Sequence, residues 1–246
     1  MNKLSDIIEI LLNINYCTEF IPLIFCLVFV KKLKTDPLRV FFIYTIVSTV
    51  FVSLSLLAQR YFNSYYFNLL SIQLFQALEF ILICIFYRTI FINSKVKNIL
   101  IFAAFFFVAF CIYSFKKIAK LEFDFMPLVV ECLFFTIVVL YYFYETMRLN
   151  LSTPIFQTPT FWFSVAFLIY FSGNFFLFLF SKSMENEPGF RNQYLFIVCT
   201  ITIIKNILFC TALFVNKNLI VQKSNTSIPS NLNLDNFESF SKQNNH

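Results

Sequence analysis

The chain predicts an all-α fold, a polytopic transmembrane bundle of about seven helices, and three observations lead there. Hydrophobic residues make up 59% of the 246 and charged residues 13%, whereas soluble domains run at about 45–50% apolar and about 25% charged. The excess is gathered into apolar runs at 7–30, 40–57, 66–87, 98–115, 125–144, 160–180 and 194–215. Each is close to the roughly 20 residues a helix needs to cross a hydrocarbon core about 30 Å thick. Apolarity is continuous within each run, unlike the alternating pattern of a membrane barrel strand.

Each run carries its own polar signature. The first opens behind Lys3, Asp6 and Glu9 with no small-residue cleavage site, so it reads as a retained helix rather than a signal peptide. On it Glu9, Asn13, Tyr16 and Glu19 fall on one face, with Pro22 three residues beyond Glu19. The second carries Thr45, Ser48, Ser55 and Gln59, and the third repeats Gln73, Gln76 and Glu79 at three-residue spacing. These faces are expected to point inward. The fourth has almost nothing polar between Asn98 and Cys111 and is expected to be the most lipid-exposed. The fifth carries Glu131 four residues after Pro127, the sixth Gly173 between Ser172 and Asn174, and the seventh Thr202, Lys205 and Asn206.

The connecting loops are too short to hold a soluble domain, so residues 1–215 read as the transmembrane domain. Residues 216–246 are rich in Asn and Ser and read as a polar, disordered cytoplasmic tail, a candidate docking segment for a cytoplasmic protein partner. Orientation follows from Lys and Arg beside the spans. With the N-terminus outside, Lys31, Lys32, Lys34, Arg39, Arg88, Lys95, Lys97, Arg148, Lys217 and Lys223 fall inside. Lys3, Arg60, Lys116, Lys117, Lys120, Lys182 and Arg191 fall outside, a bias toward N-out and C-in in an inner (plasma) membrane. The net charge of +6 is scattered between helices, which suits cytoplasmic loops beside anionic lipid and not nucleic-acid binding.

Four ionisable residues, Glu19, Glu79, Glu131 and Lys205, sit deep in four odd-numbered segments. A charge at that depth costs about 2.5–3.5 kcal/mol on insertion scales and is expected to be paired, solvated or functional. Lys205 is therefore expected to contact at least one of the three carboxylates. Counting at about 1.5 Å per residue puts Glu19, Glu79 and Lys205 near mid-bilayer, with Glu131 closer to the outer face. With Gln73, Gln76, Asn174 and Asn206 they make a candidate polar centre for a ligand, an ion or a structural network. A faint echo links Glu19-Phe20-Ile21 with Glu79-Phe80-Ile81.

Most enzyme chemistries lack their residues. The single histidine is His246, which removes Ser-His hydrolysis and His-ligated metal or haem. No Asp lies inside the apolar runs, and Gly173 and Gly189 are the two glycines, so neither a two-Asp protease nor a phosphate-cradling loop is present. The seven cysteines fall within the runs without a C-x-x-C pair and read as packing residues. No cofactor and no metal are expected. A Lys in the seventh helix invites comparison with retinal proteins, but no Asp lies on the turn before it and the third helix has no Arg-Tyr-x-x-Trp pattern.

The sixth segment, Pro159-Thr160-Phe161-Trp162-Phe163-Ser164 leading to Leu168-Ile169-Tyr170-Phe171-Ser172-Gly173-Asn174, resembles a stretch of small seven-helix membrane proteins of Bacteroidota. The Glu in helix 1, the Lys-rich first inner loop and the Asn-rich end resemble their layout. The resemblance implies the fold, and implies signalling only through the company such proteins keep with sensor kinases. Sequence alone thus points to a sensor or receptor-like component without catalytic activity. The alternative is a secondary transporter coupled to protons or ions through the intramembrane Glu and Lys residues, with Pro22 and Pro127 freeing backbone near the carboxylates.

Overall fold

The computed structural model of the protein describes residues 2–30, 35–58, 65–118, 124–148, 155–184 and 189–225. They form α1 (Asn2–Val28), α2 (Asp36–Leu57), α3 (Tyr65–Ile90), α4 (Ser94–Ile118), α5 (Met126–Arg148), α6 (Pro159–Met184) and α7 (Phe190–Asn225), with a short 3₁₀ turn at Ile155–Gln157. No strand occurs among the described residues. All seven helices are long and apolar enough to cross a membrane, which makes this a multi-pass integral membrane protein.

Local chemistry sets the helix starts. Pro37 occupies the first turn of α2, where its missing N–H costs nothing. The Asn93 carboxamide accepts from the Lys95 amide ahead of α4, and the Asp124 carboxylate accepts from the Met126 amide and the Ser114 hydroxyl ahead of α5. Pro159 opens α6, and Gly189, at φ 91°, turns the chain into α7 while its carbonyl accepts from the amides of Asn192 and Gln193.

The helices pack in chain order as a closed ring, each against the next, with α7 returning onto α1 and only a thin contact between α4 and α5. An odd number of spans puts the start of α1 and the end of α7 on opposite sides, the amino side and the carboxy side. Aromatic side chains meet across the ring: Phe41 on α2 lies 4.0 Å from Phe163 on α6 and 4.9 Å from Phe209 on α7, and Phe80 on α3 stacks 3.8 Å from Phe107 on α4. Apolar faces outside the ring, such as Phe102, Phe105 and Phe106 of α4, are exposed, as lipid-facing surfaces are.

Four expectations change. α1 is the least buried span, at 17% of its most apolar stretch against 22% for α4, which buries Leu100, Phe107 and Cys111. The polar face expected on α1 does not all turn inward: Glu19 is buried but Asn13 is exposed, and the Glu9 side chain lies outside the described residues. Pro127 does not interrupt a helix, since it is the second residue of α5. α7 continues to Asn225, past the apolar boundary at 215, because the end of a hydrophobic run marks where a helix leaves lipid and not where its hydrogen bonding stops. Residues 226–246 of the expected tail lie outside the described residues.

Candidate functional site

Helical periodicity puts Lys205 and Asn206 of α7 on the face that meets α1, and Glu19 on the α1 face that meets α2 and α7. The Lys205 ammonium lies 3.3 Å from Glu19 Oε1, with both side chains buried, at 4% and 9% exposure. Ser48 of α2 donates to the other oxygen, Glu19 Oε2, at 3.2 Å, and Thr49 reaches the Glu19 carbonyl at 3.5 Å. Lys205 Nζ also stands over the Tyr170 ring at 4.8 Å and the Phe209 ring at 5.7 Å, which spreads its charge over two π faces. Beside the pair the Asn206 carboxamide donates to Thr18 Oγ1 at 3.4 Å. Pro22 cannot donate to the Thr18 carbonyl one turn back, yet α1 runs through as one helix.

Glu79 of α3 takes the Tyr44 hydroxyl at 2.9 Å and lies within electrostatic reach of both Lys205 and Glu19. A crevice runs along Glu19, Pro22, Tyr44, Ser48 and Asn206. One turn toward the amino side are Gln76 and Glu131, close enough to interact, but Gln76 Nε2 and Glu131 Oε1 have no hydrogen-bond partner although both atoms are buried. Asn174 is fully buried; its amide donates to the Tyr170 carbonyl of its own helix at 2.8 Å and its Oδ1 has no partner. Gln73 stands apart, donating to the Cys111 carbonyl of α4 at 3.2 Å.

Of the expected residues, the ring therefore brings Glu19, Lys205 and Asn206 into one seam with Glu79 beside it, and Gln76, Glu131 and Asn174 into a second level. Gln73 serves the α3–α4 contact. Sequence reasoning missed Tyr44, Tyr170 and Thr18. Tyr44 had a legible signal, since it lies one turn before Ser48 on the same face of α2; Tyr170 had the same relation to Asn174.

On the carboxy side of the ion pair the ring is filled by Phe41, Phe86, Phe163, Phe167 and Phe209, with Tyr87 donating to Ser164 at 3.2 Å. Phe163 is fully buried, and Phe41, Phe167 and Phe209 are nearly so. On the amino side the buried polar residues Ser71, Gln76, Glu131, Asn174, Ser181 and Thr202 lie among apolar ones such as Leu69, Val129 and Phe178. Among the described residues no group of three or more His, Cys, Asp or Glu side chains is placed to hold a metal. No family model matches the chain, and neither a curated protein nor a solved structure matches it.

Proposed function

We propose that this integral membrane protein is a sensor or receptor-like signalling component without catalytic activity of its own, oriented N-out and C-in in the plasma membrane. The observation that carries the reading is the asymmetry of the ring interior. Buried polar groups lie toward the amino side of the Glu19–Lys205 pair, and a packed aromatic layer lies toward the carboxy side. In the proposed orientation the polar half faces outward and can respond to what arrives there, while the aromatic half opposes passage. The Lys205–Glu19 pair ties α7 to α1, so a change at the polar centre bears directly on the helix that leads to the tail.

Secondary transport is the competing reading, favoured by Pro22 beside Glu19. It is weakened because all seven spans are continuous helices, whereas carrier sites are typically built on broken ones. Crosslinking from native membranes, with the full chain and with a truncation lacking 226–246, separates the two. A cytoplasmic protein captured by the full chain and lost on truncation, with the bundle still folded, is the expected result. Recovery of no partner, together with substrate-dependent proton movement in proteoliposomes that Glu79→Gln abolishes, would overturn the sensor reading.

A further inference from the structure

The register of the ring places three polar side chains from three helices on one level. The same sequence offset separates Phe80 from Phe135 and Tyr87 from Tyr142, two ring contacts between the parallel helices α3 and α5, and also Gln76 from Glu131. Between the antiparallel helices α5 and α6, Phe135 meets Phe171 at 5.0 Å; one turn back on α5 and one turn on along α6 brings Glu131 level with Asn174. Phe80, Phe135 and Phe171 thus form an aromatic floor, and Gln76, Glu131 and Asn174 stand on its amino side. The three are 3%, 1% and 0% exposed, and each carries a buried atom without a hydrogen-bond partner.

Charge decides what such a level can take. Glu19 has Lys205, and Glu79 has the Tyr44 hydroxyl and the reach of Lys205. Gln76 and Glu79 act on Glu131, and among the described residues no ion pair reaches it. A buried carboxylate without a countercharge is costly, so it takes up a positive partner, either a proton or a cation. Carboxylate and amide oxygens are hard donors. One carboxylate among neutral amides matches one positive charge, and a half turn of the Gln76 amide exchanges Nε2 for Oε1 and offers a third oxygen. A proton joins two oxygens, whereas an alkali ion gathers three or more.

We infer that Glu131, Asn174 and Gln76 form a binding site for one monovalent metal cation of the sodium class. The inference is independent of the signalling role, because it concerns equilibrium binding to the chain itself.

Two measurements on the purified full chain in detergent test it: equilibrium binding of radioactive sodium, and the unfolding midpoint as sodium replaces choline at constant ionic strength and pH. Saturable binding near one ion per chain is expected, with a sodium-dependent rise in the midpoint. Because changing even a supporting residue of a metal site costs about 10–100-fold in affinity, Glu131→Gln and Asn174→Ala should each weaken binding by at least about tenfold. Gln73→Leu, on the α3–α4 contact, should leave binding unchanged. Absence of saturable binding to the unmodified chain overturns the inference, whether or not the variants fold, as does binding that Glu131→Gln leaves intact. A midpoint that follows pH and ignores sodium makes the occupant a proton and also overturns it. Failure to capture a cytoplasmic partner leaves these readouts untouched, so the two proposals fail separately.

Discussion

The two halves of the ring interior solve the same packing problem with opposite materials. On the carboxy side, rings from α2, α3, α6 and α7 meet at centroid separations such as 4.0 Å for Phe41 and Phe163 and 5.3 Å for Phe167 and Phe209. On the amino side amides, hydroxyls and Glu131 are interspersed with apolar side chains such as Leu69, Val129 and Phe178, and buried atoms are left unpartnered on Asn15, Gln76, Glu131 and Asn174. In lipid no hydrophobic force separates helix from tail, so cohesion comes from close contact and hydrogen bonds. The aromatic half holds the ring together through contact. The polar half gives up some of that cohesion and keeps groups available for something else. The Glu19–Lys205 pair marks the boundary between them.

The largest effect should come at that boundary. Lys205→Met leaves the buried Glu19 carboxylate with Ser48 as hydrogen-bond donor and Glu79 within electrostatic reach, and removing one partner of a buried pair typically costs about 3–5 kcal/mol. Its unfolding midpoint in detergent should fall steeply, and adding Glu19→Gln should recover part of the loss, whereas Glu131→Gln should not. Rescue by Glu131→Gln instead would mean that the boundary between halves is drawn in the wrong place.

Next comes the aromatic half. Phe163→Ala empties the point where Phe41, Phe86 and Phe209 converge, and large-to-small changes at such sites cost about 3–5 kcal/mol in soluble cores, an upper guide for a bundle in lipid. The matching change on the polar side, Gln76→Met, replaces a buried amide whose Nε2 has no hydrogen-bond partner with an apolar side chain of similar size, and in sodium-free buffer should cost clearly less than Phe163→Ala. Parallel denaturation of the two variants checks the contrast; equal losses would show that both halves are structural. Tyr44→Phe lies between, since it deletes one hydrogen bond to a carboxylate worth about 1.5–3 kcal/mol and leaves the ring in place.

Much of the fold was legible before any coordinates. Length and continuity of the apolar runs mark the seven spans, because the bilayer imposes a fixed thickness on any helix that crosses it. The three-residue spacing of Gln73, Gln76 and Glu79 marks a face, and all three are buried. What periodicity does not reveal is which neighbour a face meets. Gln73 and Gln76 share a stripe, yet one reaches the Cys111 carbonyl of α4 and the other looks toward Glu131 of α5. Pro127 and Pro22 have similar relations to a Glu in sequence, but one opens a helix and the other lies inside one.

The sequence by itself determined that this protein crosses the membrane on seven helices and that Glu19, Glu79, Glu131 and Lys205 carry charge-bearing groups into those helices. Tertiary structure decided that Lys205 pairs with Glu19, that Tyr44 serves Glu79, and that Glu131 stands beside Gln76 and level with Asn174. The physical reason is that hydropathy and helical period are properties of one segment, whereas a pairing depends on the rotation and relative height of two. In a closed ring each inward face has several helices within reach, and only the register set by side-chain contacts, Phe80 on Phe135 and Phe135 on Phe171 among them, chooses one.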